Sequence, residues 1–360
     1  MPHPPFTPAW WIPGPHAQTL WGKFFRRMPR MPWSVERWDT PDGDFVDLHR
    51  VHAADPRAPR LLLLHGLEGG PRSHYVGGIM SEAIERGWGA DFLVFRSCGP
   101  ELNLAPRFYH SGETGDLAFV IDRLLAEHPD SPLVLAGVSL GGNVLLKYLG
   151  ERGDDLPSAV RAAATVSVPY DLDRGCRHIS QGFSRVYERH FLRTLRRKAI
   201  AKLAQHPRIL DAGRMAAART LYEFDDVVTA PVHGFESAAD YYARSSSLRF
   251  LHGIGRPTLL LSAVDDPFLP APVLDEVREV ARDNRALHLE FVPRGGHVGF
   301  VGGRLPWRPD YWAERRVVRF LADALDAGAA AAPVAAHAPH AAQAAHPPPH
   351  ATAAMGAIRG

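Results

Sequence analysis

The stretch GVSLGGN, residues 137–143, follows the apolar run PLVLA and precedes VLLKYLG. Its serine, Ser139, lies in the pattern G-x-S-x-G, where an apolar strand would turn sharply into a helix. Because Gly137 and Gly141 have no side chains, they leave room for such a tight turn. Ser139 is therefore either a nucleophile that projects above a sheet or a small residue in a close strand-to-helix connection.

Short apolar runs alternate with amphipathic segments on both sides of this stretch. Two segments, 34–39 and 44–50, flank the turn PDGD and predict an antiparallel hairpin. Further strands are predicted at residues 60–64, 90–96, 132–137, 160–168, 257–263 and 287–292. Helices are predicted at about 74–86, 113–128, 140–151, 272–283 and 308–326. The apolar strands and intervening helices predict an α/β fold, with a mostly parallel sheet covered by helices on both faces.

The remaining segments differ from this alternation. Residues 170–250 have helical patterns and no convincing strand, so we expect an inserted helical cap between core segments 34–169 and 251–327. Residues 1–33 are rich in aromatic side chains and should form an arm that packs on the core. Residues 328–360 consist mainly of alanine, proline and histidine, which bury little apolar surface, and are predicted to be a disordered tail.

The composition narrows the class of protein. With 46% hydrophobic and 22% charged residues, the chain is typical of globular proteins. A net charge of +2 gives no reason to expect nucleic acid as a partner. There is neither a run of about 18 apolar residues nor a secretory signal, and Cys98 and Cys176 have no metal-ligand spacing. We expect a soluble cytoplasmic protein.

Chemically useful side chains follow three of the predicted strands. Ser139 follows PLVLA, and His297 lies in the loop PRGGHVGF after LHLEFV. Between them in the chain, Asp265 and Asp266 follow PTLLLSAV. Ligands of open α/β sheets bind beyond the carboxyl ends of the strands, so these side chains should lie close together. His297 would take the proton of Ser139, and an aspartate would fix the imidazole tautomer.

Two adjacent carboxylates compete for the role of the acid. We favour Asp266, which comes immediately before the first proline of the D-P-x-x-P segment at this strand end. Asp265 is the alternative, and its other interpretation is a hydrogen-bonding neighbour.

Two backbone N–H groups are candidates for an oxyanion hole. One belongs to Leu140, at the start of the helix after Ser139, and the other to Leu67 in the loop HGLEGG, residues 65–70. We expect His65 to be a structural hydrogen-bonding residue rather than a second base.

Two further segments allow two interpretations each. In YHSGETGDL (109–117), Tyr109 and His110 could border a pocket, but a helix N-terminus near Ser111 is favoured. Seven basic residues between 185 and 202 would suit an anionic lipid, although a solvated helix face is favoured.

Seven segments together form a pattern that extends through most of residues 10–325. They are HAQTLWGKFFRR (16–27), HGLEGGPRSHY (65–75), FRSCGPELNLAPRFYHSGETGDL (95–117), GVSLGGNVLLKYLGE (137–151), FDDVVTAPVHGF with the later YY (224–242), DDPF (265–268) and GGHVGF (295–300). In these segments the chain resembles the YheT-like group of the α/β-hydrolase superfamily, which includes relatives of the animal abhydrolase-domain proteins. The sequence FRSCGP (95–100) departs from the F-R-G-C-S-G that is common in this group. The departure bears only on the geometry of this loop, because Ser139, Asp266 and His297 lie elsewhere.

The resemblance implies an α/β-hydrolase fold and a serine hydrolase of carboxylic esters, without a metal or an organic cofactor. A short or medium acyl group would pass to Ser139, and water activated by His297 would release it. One alternative is a lipase, phospholipase or acyltransferase in lipid metabolism, with at most a weak peripheral contact with a membrane. Another is a non-catalytic binding protein on the same scaffold. The expected partner is a small-molecule ester or a lipid.

Overall fold

The computed structural model describes residues 4–331, and an eight-stranded sheet forms its centre. The strands are β1 (Ser34–Asp39), β2 (Phe45–Val51), β3 (Arg60–Leu64), β4 (Gly89–Val94), β5 (Leu133–Val138), β6 (Val160–Val166), β7 (Thr258–Ala263) and β8 (Leu287–Val292). Their order is β1-β2-β4-β3-β5-β6-β7-β8. The β1–β2 and β2–β4 pairs are antiparallel, and the others are parallel. This confirms the predicted mostly parallel sheet with an N-terminal antiparallel hairpin.

Helices cover both faces of the sheet, and further helices lie between β6 and β7. They are α1 (Gly14–Phe25), α2 (Val76–Ile84), α3 (Gly115–Glu127), α4 (Leu140–Arg152), α5 (Leu172–Ile179), α6 (Arg185–Gln205), α7 (Ala212–Ala217), α8 (Leu221–Phe224), α9 (Ala230–Val232), α10 (Ala238–Ser245), α11 (Pro272–Asp283) and α12 (Trp312–Ala331). No helix within residues 4–331 is long and apolar enough to cross a membrane.

The sequence of β3 explains why the sheet is covered twice. Successive side chains of a strand point to opposite faces, and RLLLL places leucines on both. Leu62 and Leu64 join the apolar cluster that includes residues of α3, α4 and α11. Leu61 and Leu63 join the cluster that includes residues of α2 and α12. Because all four leucines are fully buried, the strand is stable only between two layers of helices.

The regular elements between β6 and β7 are all helical, as the sequence pattern predicts. They are α5 to α10, with a π-helical turn at Asp225–Thr229 and 3-10 turns at Gly182–Ser184 and Ser247–Gly253. These helices share an apolar cluster of their own, separate from the two clusters of the sheet. We call residues 170–250 the cap.

The predicted final helix was wrong at its start. Residues from 308 form strand β10 (Arg308–Tyr311), which pairs antiparallel with β9 (Val301–Leu305), and the helix begins at Trp312. The N-terminal arm supports this hairpin, because the Ala9 N–H donates to the Val301 carbonyl at 2.9 Å. The helix also continues through Ala331, four residues into the predicted tail, and residues 332–360 lie outside the described residues.

Candidate active site

Ser139 lies on a strained turn between β5 and α4. Its backbone has φ 53° and ψ −120°, a conformation that costs a non-glycine residue about 1–3 kcal/mol. The glycines on either side have no room for a side chain: a Cβ on Gly137 would lie 2.6 Å from the Gly141 carbonyl oxygen. The Ser139 N–H also donates to the Val166 carbonyl at 2.8 Å, which ties the turn to β6. The two glycines therefore allow the sharp turn that raises Ser139 at the edge of the sheet.

His297 and Asp266 complete a hydrogen-bonded chain with this serine. Ser139 Oγ lies 3.0 Å from His297 Nε2, and His297 Nδ1 lies 2.9 Å from Asp266 Oδ2 and 3.1 Å from Asp266 Oδ1. All three side chains come from loops at the carboxyl ends of strands. In this arrangement Nδ1 carries the hydrogen donated to the carboxylate, and Nε2 is free to accept the serine proton.

The adjacent aspartate has a different set of partners. Asp265 Oδ1 accepts hydrogen bonds from the N–H groups of Gly295 and Gly296, at 2.8 and 2.9 Å. Asp265 therefore anchors the loop that carries His297, while Asp266 contacts the imidazole itself.

Two hydroxyl groups that no sequence motif indicates also hold the loop that carries His297. Thr19 Oγ1, on α1, accepts from the His297 N–H at 2.9 Å. Ser167 Oγ, just after β6, accepts from the Val298 N–H at 3.0 Å. The Phe268 ring stacks on the imidazole, with 4.0 Å between ring centroids. Thr19 lies 278 residues from His297 in the chain, so no local pattern could have indicated the contact.

The two candidate oxyanion donors lie at the same cavity as Ser139 and His297. Leu67 and Leu140 both line it. Within residues 4–331, neither backbone N–H donates to a turn or loop carbonyl. Both groups therefore remain candidates for the oxyanion hole.

His65 has a structural environment. Its Nε2 accepts from the Phe95 N–H at 3.1 Å, which leaves the hydrogen on Nδ1, 2.7 Å from the Gly66 carbonyl oxygen. Burial lowers the pKa of His65 to about 3, so the ring stays neutral. With both nitrogens occupied, it shapes the loop that follows β3.

The cavity beside Ser139 extends into the cap. It has a volume of about 150 Å³, comparable to a cavity that holds a benzene-sized molecule of about six carbons. Its apolar wall is formed mainly by cap side chains, namely Leu172, Ile179, Phe191, Leu195, Leu221, Phe224 and Val228. A second, wider opening of about 630 Å³ reaches Ser139 and His297 between α1 and α6.

The segment 109–117 contributes to the cavity. Tyr109, His110 and Ser111 all line it, whereas α3 begins at Gly115 after the N-cap residue Thr114. The favoured interpretation of Ser111 as a helix N-terminus was therefore wrong. Burial pushes the pKa of His110 well below its ordinary value, so this ring presents no positive charge to the cavity.

Asp225 is a carboxyl group at the cap side of the same cavity. It accepts hydrogen bonds from Thr229 Oγ1 and Tyr242 Oη, both at 2.6 Å. Burial nevertheless raises its pKa to about 6. Two donors therefore do not fully replace the water that this carboxylate loses.

The basic run of α6 is divided between solvent and interior. Arg189, Arg193 and Arg197 are exposed, in line with the favoured interpretation. Lys202 is not: it is fully buried and donates to the Ala105 carbonyl oxygen at 2.9 Å. Lys198 also turns inward, to Glu68. A solvated face was therefore the wrong interpretation for the two lysines.

Comparison with known proteins shows the family to which the chain belongs. The family described as "alpha/beta hydrolase fold" matches residues 59–303. The Escherichia coli (strain K12) protein YheT, whose name carries the word esterase, is 39% identical over 316 residues, which cover 87% of this chain and 91% of that protein. Bovine phospholipase ABHD3 is 30% identical over 317 residues, covering 85% of this chain and 75% of that protein.

A solved structure shares the fold. The Pyrococcus furiosus esterase Pf2001 superposes with a TM-score of 0.54 at 14% identity, covering 90% of this chain and 99% of that one.

Proposed function

Because this chain belongs to the α/β-hydrolase family, we propose that it is a serine hydrolase that cleaves carboxylic esters through an acyl-enzyme on Ser139. The observation that carries the proposal is the hydrogen-bonded chain from Ser139 through His297 to Asp266, with distances of 3.0 and 2.9 Å. A serine hydroxyl becomes a good nucleophile only when a base removes its proton, and His297 Nε2 is in position to do so.

The reaction follows from the direction of these hydrogen bonds. Ser139 Oγ attacks the ester carbonyl as its proton passes to His297 Nε2, and the carbonyl oxygen becomes an oxyanion. The N–H groups of Leu67 and Leu140 would donate to this oxygen. Collapse of the intermediate breaks the bond to the alcohol, which takes the proton from His297. Water, deprotonated by the same nitrogen, then attacks the acyl carbonyl, and the bond to Ser139 Oγ breaks as Oγ takes this proton from His297, which releases the acid.

Asp266 has an electrostatic role in this scheme. It holds the hydrogen on Nδ1 and stabilises the imidazolium that forms when His297 accepts the serine proton. The Phe268 N–H donates to Asp266 Oδ1 at 2.8 Å, which fixes the carboxylate in the plane it presents to the ring.

The size of the cap cavity supports short to medium acyl chains. A volume of about 150 Å³ fits an acyl portion of about six carbons, and its lining is mainly apolar. The wider opening between α1 and α6 would receive the alcohol portion. Neither acylation of Ser139 nor hydrolysis of the acyl-enzyme requires a metal or an organic cofactor.

Hydrolysis of p-nitrophenyl esters from two to twelve carbons tests the proposal. We expect the wild-type protein to prefer the shorter half of the series, and Ser139→Ala to lose activity. Ser158→Ala is the matched control, since Ser158 is exposed and lies far from the site in the chain. An active Ser139→Ala variant would refute the proposed nucleophile. No turnover by folded wild-type protein would favour a non-catalytic binding protein.

A second candidate function is hydrolysis of lipid at a membrane surface, favoured by the apolar rim of the wider opening. Phe24, at the end of α1, and Val186, at the start of α6, line this opening and are 65% and 51% exposed. Phe25, next to Phe24 in the chain, is 66% exposed. Exposed apolar side chains around the opening of a site are typical of surfaces that bind a membrane.

Vesicle sedimentation distinguishes the two functions. If lipid is the substrate, anionic vesicles should bind the protein, and Phe24→Ser should weaken binding. Trp307→Ser serves as the control, because Trp307 is 72% exposed but does not line the opening. Equal rates on monomeric esters with and without vesicles, and no binding, would exclude the lipid function.

A further inference from the structure

Lys198 connects the cap to the loop that follows β3. Its Nζ, on helix α6, lies 2.7 Å from Glu68 Oε1. The two side chains are mostly buried, with 21% of Lys198 and 6% of Glu68 exposed. The catalytic scheme gives neither side chain a chemical role, yet both line the cavity that contains Ser139.

Glu68 has an unusual backbone conformation that its neighbours hold in place. Its φ of 55° lies in the left-handed region, which a non-glycine residue adopts only when its surroundings fix it. The Glu68 N–H donates to Tyr109 Oη at 2.7 Å, and the same hydroxyl donates to Glu68 Oε1 at 3.0 Å. Lys198 is the second donor to that carboxylate oxygen.

Glu68 lies directly after Leu67 in a tight turn of the loop. The Gly69 N–H donates to the Gly66 carbonyl at 2.9 Å, so Leu67 and Glu68 occupy the middle of a tight turn. Leu67 is the proposed oxyanion donor, and such a donor must lie about 2.7–3.1 Å from the oxyanion to act. A misplacement of about 1 Å can reduce a rate by about a hundredfold.

We propose that the Lys198–Glu68 ion pair is a positioning contact through which the cap holds the loop that follows β3, so that the Leu67 N–H is in place only when α6 packs on the core. The inference rests on the proposed esterase function. Lys198 acts through Glu68 and touches no reacting atom, so it is a positioning residue.

The charge of Lys198 is consistent with this role. Burial alone would lower its pKa, but nearby groups, Glu68 among them, raise it overall. Lys198 Nζ also lies 3.2 Å from Cys98 Sγ, on the loop after β4. The ammonium therefore remains charged and joins α6 to two loops of the core.

Hydrogen–deuterium exchange on the intact chain tests the contact without any substrate. In Lys198→Met, exchange of the Glu68 and Gly69 amides should rise at least about tenfold, the effect of losing one hydrogen bond between charged groups. Arg197→Met is the matched control, because Arg197 is an exposed neighbour on the same helix, and it should leave exchange unchanged. Unchanged exchange of the loop amides in Lys198→Met would overturn the proposal.

Kinetics on a short ester provides the second readout. Lys198→Met should lower kcat about 10- to 100-fold, while KM stays within about threefold. This decrease in kcat does not exceed the decrease caused by removing one oxyanion donor. Affinity for a trifluoromethyl ketone, whose adduct with serine carries the oxyanion, should fall in parallel with kcat/KM. A raised KM with unchanged kcat would overturn the proposal and indicate that Lys198 binds substrate.

Two further variants distinguish loss of the Lys198–Glu68 contact from a general loss of folding. Tyr109→Phe keeps the ring and removes the hydroxyl that holds Glu68, so it should raise exchange of the same amides. In Glu68→Gln with Lys198→Met, no buried charge is left unpaired, and kcat should be no lower than in Lys198→Met alone. If wild-type protein hydrolyses no ester, the proposed function fails, whereas the exchange experiment still decides whether the cap holds the loop.

Discussion

Replacing Asp266 with asparagine perturbs the acid of the proposed triad with little change in shape. Asp266 Oδ1 accepts from the Phe268 N–H at 2.8 Å, and Oδ2 lies 2.9 Å from His297 Nδ1. An asparagine would keep its carbonyl oxygen toward the Phe268 N–H, which places its NH₂ group against Nδ1. The imidazole would then carry its hydrogen on Nε2 and could no longer accept the proton of Ser139.

The expected loss is large because the wrong tautomer disables the base. We predict that Asp266→Asn lowers kcat about 10⁴-fold, which corresponds to about 5 kcal/mol of transition-state stabilisation. Release of p-nitrophenolate from a short ester measures kcat, and urea unfolding verifies that the variant is folded. Binding of substrate should change little, since Asp266 is buried behind the imidazole.

The neighbouring aspartate provides a matched control. Asp265 Oδ1 accepts from two backbone N–H groups, those of Gly295 and Gly296. An asparagine carbonyl can accept both hydrogen bonds, so Asp265→Asn should keep kcat within about tenfold and cost about 1 kcal/mol of stability. The reasoning is refuted if Asp265→Asn loses as much activity as Asp266→Asn, or if Asp266→Asn keeps more than a tenth of the wild-type kcat.

Three further predictions follow from packing and burial. Gly137→Ala would place a Cβ 2.6 Å from the Gly141 carbonyl oxygen and should destabilise the fold by about 1–3 kcal/mol in urea unfolding, whereas Gly255→Ala, with open space around it, should not. The pKa of Asp225 is raised to about 6 in the folded protein, against about 3.9 in an unfolded chain. The folded state therefore binds this proton more tightly than the unfolded state does. The stability that results is complete below about pH 4 and is lost as the pH rises to about 6. Asp225→Asn should therefore flatten the dependence of Tm on pH in this window, and an unchanged slope would contradict the assignment. Val228→Phe, which fills part of the cap cavity, should shift the kcat/KM optimum toward shorter acyl chains; an unchanged profile would place the acyl group elsewhere.

Much of the sheet could be predicted from local sequence. Each of the eight strands begins and ends within two residues of its predicted bounds, because runs such as RLLLL (60–64) are apolar on both faces and end at glycine, proline or polar residues. The β9–β10 hairpin could not be predicted in this way, because contacts with a distant part of the chain hold it. Its strands are short and partly exposed, and the N-terminal arm holds it through the side chains of Trp10 and Trp11, which donate to the carbonyls of Arg304 and Gly303.

Some residues of the candidate site could likewise be predicted from local sequence, and others could not. Ser139, the two aspartates and His297 could be predicted because each follows a strand end, where parallel topology brings side chains together. Thr19 and Ser167 could not, because their contacts to the histidine loop depend on how the arm and β6 pack against it. The charge pattern of α6 favours a solvated face for Lys198, because such a pattern does not reveal which basic side chains turn inward.

Covalent labelling with a fluorophosphonate tests the central claim most directly, because the reagent reacts with an activated serine and requires no knowledge of the natural ester. Peptide mapping by mass spectrometry should locate one adduct, on Ser139. The adduct should be absent in Ser139→Ala and present in Ser158→Ala. Equal labelling of Ser139→Ala, or an adduct on a different residue of the wild-type protein, would contradict the account.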